Sequence, residues 1–443
     1  MCDLARGGHT VPRIGGGRIG RVGHGGAWLH LTRDIGHIFR AALGPAARQP
    51  LGLAVSGGGD SVALLHLAVE AGCKVAVATV DHGLREEAAA EAAAVAARCE
   101  ALGVPHRVLE WRWNGRGNLS DAARRARMTL LADWARGAGL AAVALGHTQD
   151  DVAETFLMRL ARDAGVDGLA AMAARREVAG MVFLRPLMGV GRAELRGWLL
   201  SRGLDWVDDP TNEDAHFARV RARRAIAAMA DAGVGADQIA ALAGRMTDVR
   251  EALDGSVAEA AARIARLDRG DVILEGAGLA QLPVEIRRRL MRDVVMWIGS
   301  AEYGPRGAEL ERFIAAALEG RAATLGGCRM TPGRGRLRIT REMRAVAGLE
   351  CATDQVWDGR WRVTGPEIDG DNSGLTIRAL GIEGLAQIAG AEAATMPRLS
   401  LLASPAVWRG DMLVAAPLAG QGAGWSAACA APFGPLSAAP LSH

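Results

Sequence analysis

From Leu51 onward, short apolar runs alternate with amphipathic stretches, and this alternation constrains the fold more than any other feature of the chain. The runs cover residues 51–55, 74–80, 106–111, 141–145 and 181–184. Helical patterns follow from Ser61, from Glu86, across 121–136, from Gln149 and across 192–201. Strands alternating with helices make βαβ units and a parallel sheet. The expected fold is therefore α/β: a five-stranded, mostly parallel sheet with helices on both faces. Ligands of such a sheet bind beyond the carboxyl ends of its strands.

The first strand ends in the hexamer Ser56-Gly57-Gly58-Gly59-Asp60-Ser61, directly before a helix. Glycines let the backbone approach phosphate and adopt positive φ. Exposed amides and the helix N-terminus supply a positive pole for an anion. Ser56 and Ser61 offer hydroxyl donors, and Asp60 is placed to hold Mg2+ or to position the loop. A capped strand-to-helix turn is the plain alternative. Lys74 is the sole lysine, so a Walker-type Gly-Lys-Ser/Thr loop is excluded.

Two further clusters follow strand ends. Asp81 and His82, in the segment 80–85, bring a carboxylate and an imidazole to the same edge and join the hexamer as ATP-binding candidates. The segment 146–155 carries Thr148, Asp151 and Glu154. Thr148 with Asp151 has the spacing of a capping box. That explanation does not cover Glu154, one helical turn further on the same face. Two carboxylates at the mouth of a nucleotide site suit an ammonium group, a magnesium ion, or both.

The hexamer resembles the PP-loop of the ATP pyrophosphatase superfamily, which implies adenylation of a substrate oxygen with release of pyrophosphate. With segments 81–85, 146–155 and 165–172, Arg159, Arg185-Pro186-Leu187 and Asp209-Pro210-Thr211-Asn212, the order and spacing resemble the tRNA(Ile)-lysidine synthase family. Segments 324–327 and 337–342 resemble a later motif of that family, so the likeness is dense over 50–225 and sparse over 226–415. It implies ATP and Mg2+ as co-substrate and metal, and an isoleucine tRNA and free L-lysine as partners. Its product would be lysidine at the wobble cytidine. By the same resemblance, 56–61 hold the triphosphate, Asp151 and Glu154 bind lysine, and Arg124 or Arg127 stabilises charge near the α-phosphate. Met128, Asp163 and Val220 depart from the family pattern.

Arg219, Arg221, Arg223 and Arg224 form a basic stretch suited to phosphate contacts, with a solvated helix face as the alternative. A net charge of +3 adds nothing to the case for nucleic acid. The organisation expected is a flexible Gly/Arg-rich extension (1–48), a PP-loop catalytic domain (49–215), a mainly helical tRNA-binding domain (216–345) and a small C-terminal domain with a tail (346–443). The six scattered cysteines lack any Cys-x-x-Cys pair, which argues against zinc and disulfides and for a reduced, cytoplasmic setting. No apolar run is long enough to span a membrane. Oligomeric state stays open, a homodimer included. The rival functions are another PP-loop tRNA-modifying enzyme such as a thiolase, which would need catalytic cysteines, and a non-catalytic ATP-binding regulator.

Overall fold

The computed structural model describes residues 34–83, 88–113, 119–207, 218–301, 303–366, 374–388 and 396–429. The extension up to residue 33, Arg85, the 209–212 motif and the tail from 430 lie outside them. The chain divides into two compact units, Met1–Arg250 and Glu251–His443.

In the first unit the elements run α1 (Ile35–Leu43), β1 (Leu51–Ala54), α2 (Gly59–Glu70), β2 (Val75–Asp81), α3 (Ala88–Ala101), β3 (His106–Glu110), α4 (Leu119–Gly137), β4 (Ala142–Leu145) and α5 (Gln149–Leu160). There follow α6 (Val166–Leu169), β5 (Arg175–Val178), β6 (Met181–Leu184), α7 (Arg192–Ser201), α8 (Ala218–Met229) and the first part of α9 (Ala236–Ile264), whose remainder belongs to the second unit. The sheet order is β3-β2-β1-β4-β6-β5. β1 pairs in parallel with both β2 and β4, so the strand order reverses between them. That reversal opens the crevice in which doubly wound sheets bind ligands.

All five expected strands are present. The sixth, β5, is antiparallel to β6 and was not legible: Arg175-Arg176-Glu177 is charged and exposed, as suits an edge strand.

Alternation along the strands builds two cores. Leu51 and Leu53 of β1, with Ala142 and Ala144 of β4, pack with α1, α2 and α7 on one face. Ala54, Val143, Leu145 and Phe183 pack with Leu131, Ala132 and Ala135 of α4 on the other. Gly52 sits in mid-strand because a Cβ there would lie 2.7 Å from the Trp134 ring. α8 packs on α5, and Ile239 and Ala243 of α9 bury against Val152, Ala153 and Phe156.

The second unit pairs the strand-like segment 324–341 with two strands, Ala265–Asp268 and Asp271–Glu275, that the sequence did not suggest. β7 (Ala265–Asp268), β8 (Asp271–Glu275), β9 (Ala323–Leu325), β10 (Cys328–Gly333) and β11 (Arg336–Arg341) form an antiparallel sheet of order β7-β8-β11-β10-β9. It shares a core with α10 (Gly276–Gln281), α11 (Val284–Gly299) and α12 (Gly307–Leu318). α9 stops at Ile264, where the chain enters a hairpin turning at Arg269 and Gly270, both at positive φ. Two small antiparallel sheets, of four and three strands, lie beyond Glu350. The expected limits at 215/216 and 345/346 thus fall inside the two compact units, because α8 and the start of α9 bury their apolar faces with the parallel-sheet unit.

Candidate functional site

Between β1 and α2 the hexamer closes on itself. Gly57 takes φ +89°, and Gly58 is the extended N-cap of α2. The Ser61 hydroxyl donates to Gly58 O at 2.8 Å and accepts from Ser56 N at 3.1 Å. The first-turn amides of a helix have no intrahelical acceptors, so this end of α2 presents donors to an anion. The loop is braced from behind. The Trp206 indole lies 3.3 Å from where a Cβ on Gly59 would stand, and a Cβ on Gly146 would meet the Asp60 backbone at 3.2 Å. Val207 N donates to Gly57 O at 3.1 Å. Arg98 anchors the adjacent Asp205, donating to its carboxylate at 2.6 Å.

Beside the loop is a cavity of about 230 Å³ whose lining includes Ser56, Thr79, Asp81, His82, Glu91 and Arg127. Asp81 and His82 therefore reach the edge where the sequence places them. Asp81 also holds its own turn, accepting from Gly83 N at 2.8 Å. Burial, with help from Arg127, lowers the His82 pKa, which favours the neutral ring. Of the two arginines left open by the sequence, Arg127 lines the cavity, whereas Arg124 on the same helix is exposed.

Across the reversal point stand three carboxylates joined by one residue the sequence reading missed. The Arg192 guanidinium donates to Asp60 Oδ2 at 3.1 Å, to Glu154 Oε1 at 3.0 Å and to Asp151 Oδ1 at 3.4 Å. Its backbone N–H donates to Asp150 Oδ2 at 2.7 Å. Arg192 opens α7, at the positive end of the helix dipole, where a cation is disfavoured without local anions. That misplaced charge was the available signal. Burial lowers the Arg192 pKa, but Glu154, Asp151 and Asp60 outweigh it and hold the guanidinium more basic than usual. Burial raises the Asp60 pKa against the pull of Arg192.

Asp151 makes the local contacts of a capping box and also faces the carboxylate cluster. Its Oδ2 accepts from Thr148 N at 2.8 Å and from the Thr148 hydroxyl at 3.0 Å, as a cap would. Its Oδ1 faces Arg192. Glu154 is 1 % exposed and meets two further arginines: Arg223 Nε donates to Oε1 at 2.9 Å, and Arg219 Nε lies 3.3 Å from Oε2. Two of the four arginines read as RNA contacts thus turn inward, while Arg221 and Arg224 are exposed. Nearby, Arg185 Nε donates to His147 Nδ1 at 3.1 Å. Burial outweighs Asp151 and, with the surrounding arginines, pushes the His147 pKa down to about 4, so the ring is neutral.

Among the described residues no group of three or more His, Cys, Asp or Glu side chains is arranged as a metal site. Asp60 Oδ1 is nonetheless buried without a hydrogen-bond partner. One open carboxylate oxygen beside a phosphate loop suits magnesium, which is bound through one or two carboxylates together with substrate phosphates. No single described helix is long and apolar enough to cross a membrane.

This loop, at the reversal of a parallel sheet, defines a PP-loop nucleotide-binding domain, and residues 30–230 match the family model described as the PP-loop domain. Curated relatives narrow the class. A tRNA(Ile)-lysidine synthase of Ruegeria pomeroyi is 46 % identical over 418 residues, covering 93 % of this chain and 99 % of its own. One from Methylobacterium nodulans is 40 % identical over 321 residues, covering 69 % of this chain and 94 % of its own. The chain belongs to the tRNA(Ile)-lysidine synthase family, and is thus an enzyme of the ligase kind. A solved structure, the U34-tRNA thiolase of Methanococcus maripaludis, is similar over 48 % of this chain and 79 % of its own at 17 % identity and TM-score 0.43.

Proposed function

We propose that the protein joins free L-lysine to C2 of the wobble cytidine of an isoleucine tRNA, using ATP and yielding lysidine, AMP and pyrophosphate. One observation carries the reading: a single guanidinium, that of Arg192, touches both the phosphate-loop carboxylate Asp60 and the Asp151/Glu154 pair. That contact supports a reading in which nucleotide activation and amine capture share one site.

In the first step the cytidine C2 carbonyl oxygen attacks the α-phosphorus of ATP and pyrophosphate leaves. Residues 56–61 hold the triphosphate through backbone donors and hydroxyls. Arg127 supplies positive charge at the cavity edge. Magnesium, when bound at Asp60, would neutralise phosphate charge. In the second step the lysine ε-amine attacks C2 and AMP departs. A free ε-ammonium, with a pKa near about 10.4, must first lose a proton. Asp151 and Glu154 orient it, and Asp151 Oδ1 is the acceptor for that proton. The basic stretch at 219–224, within residues 216–345, contacts tRNA phosphates, and the setting is the cytoplasm.

The test is incubation with ATP, radiolabelled lysine and the tRNA transcript, carrying either cytidine or another base at the wobble position. Lysine should enter only the cytidine transcript, with stoichiometric AMP. Incorporation regardless of that base, or none with either, would overturn the reading.

A further inference from the structure

Glu154 has more cationic neighbours than one carboxylate needs. Three arginines lie within 3.3 Å of it, and the pairing with Arg219 is poorly aligned. Glu154 Oε2 and Arg219 Nε are both buried, yet neither completes a hydrogen bond. The three arginines are not equivalent. Arg192 is 16 % exposed and held by two other carboxylates. Arg219 and Arg223 are 43 % and 38 % exposed and come from α8, the basic helix. They stand one helical turn apart, so they present themselves to Glu154 together.

Glu154 alone faces three guanidiniums, those of Arg192, Arg219 and Arg223, while Asp60, Asp150 and Asp151 share Arg192. A lysine ammonium entering beside Glu154 would bring a fourth cation to one buried carboxylate, which is strongly unfavourable. It would also compete with guanidiniums for Glu154. The same two arginines belong to the stretch best suited to phosphate.

We infer that Arg219 and Arg223 are exchangeable counter-ions of Glu154: without tRNA they occupy the ammonium site, and tRNA phosphates draw them off so that lysine can bind. The inference rests on the proposed lysine role of Glu154. It makes lysine binding conditional on tRNA. By thermodynamic reciprocity lysine must strengthen tRNA binding by the same factor. Arg192 stays in place throughout, because Asp60 and Asp151 hold it independently of Glu154.

Equilibrium dialysis of radiolabelled lysine against the full chain, without ATP and with or without the isoleucine tRNA transcript, tests this. Wild-type protein should bind lysine roughly tenfold or more tightly when the transcript is present, the equivalent of one charge-assisted hydrogen bond released. The double variant Arg219→Gln/Arg223→Gln should bind lysine tightly alone, with little further gain from tRNA. Equal lysine affinity of the wild type with and without tRNA overturns the exchange, and that comparison needs no variant to fold. Glu154→Gln separates the two layers. If lysine binding ignores that change, the lysine site itself is wrongly placed. If binding needs Glu154 but ignores tRNA and both arginines, only the exchange fails.

Discussion

Replacing Arg192 by methionine keeps an unbranched, largely aliphatic stem and removes the charge that three carboxylates share. Those side chains are 23 %, 11 % and 1 % exposed for Asp60, Asp151 and Glu154, so solvent cannot take over the role of the guanidinium. Breaking a buried ion pair by removing one partner costs about 3–5 kcal/mol. Arg219 and Arg223 still face Glu154, so the loss falls mainly on Asp60 and Asp151, and we expect the lower end of that range at pH 8. The penalty should depend on pH. Burial already raises the Asp60 pKa, and Arg192 is the first influence opposing it. In Arg192→Met the folded-state pKa rises further above the unfolded value of about 3.9. The unfolded state then gives up its proton more readily, so the destabilisation grows as pH rises through that interval and shrinks near pH 5. The chain has two compact units, so a single melting temperature would blur the effect. Hydrogen exchange of the β1 and α5 amides measures opening of the relevant unit alone. A loss below about 1 kcal/mol that is also flat between pH 5 and pH 8 would refute the argument that Arg192 neutralises ionised, buried carboxylates.

Four other outcomes follow from the same geometry. Gly57→Ala places a Cβ at φ +89° with its nearest neighbour at 3.6 Å, so the cost is conformational, about 1–2 kcal/mol, and KM for ATP should rise in pyrophosphate-release assays while the fold persists. His147 is neutral when folded down to about pH 4, whereas an unfolded histidine protonates near about 6.5, so wild-type stability should fall by about 3 kcal/mol between pH 7 and pH 4; denaturation of His147→Gln across that range should lack this slope. Replacing the exposed Arg221 and Arg224 by glutamine should reduce the salt dependence of tRNA binding by up to about two units without altering ATP binding, as measured by filter binding over a salt series. Asp151→Asn should still consume ATP to adenylate tRNA but form lysidine far more slowly at saturating lysine, as separate measurements of the two steps would show.

The parallel sheet was legible because its strands are buried on both faces and therefore spell continuous apolar runs, as 51–55 and 141–145 do. The edge strand at Arg175–Val178 was not, because an exposed edge has no apolar period to detect. The loop and both carboxylates could be found because their chemistry is local in sequence. Arg192 could not be found that way. It contacts Asp60 across 132 positions of chain, and only the closing of β1 against β4, with α7 delivered above both, brings it there. The inward turn of Arg219 and Arg223 was invisible for the same reason: a run of arginines carries no mark of which members will face a buried carboxylate.

At Asp151 a capping role and the proposed role of proton acceptor need not compete. A carboxylate has two oxygens, and here they are divided. Oδ2 is committed to Thr148 N and Oγ1, which fixes the side chain against the first turn of α5. Oδ1 is thereby aimed at the cluster, where Arg192 meets it at the longest of its three contacts, 3.4 Å. A proton acceptor must hold a fixed direction and still keep an oxygen accessible to its substrate. The cap supplies the direction, and the weak Arg192 contact leaves the oxygen available. Glu154 lacks such a local tether to its own helix end and is instead surrounded by guanidiniums, which suits it to holding a cation rather than to taking its proton. The division of labour proposed for the two carboxylates therefore rests on where each stands on α5: Asp151 in the first turn, beside the N-cap, and Glu154 one turn in, where the arginines of α8 can reach it.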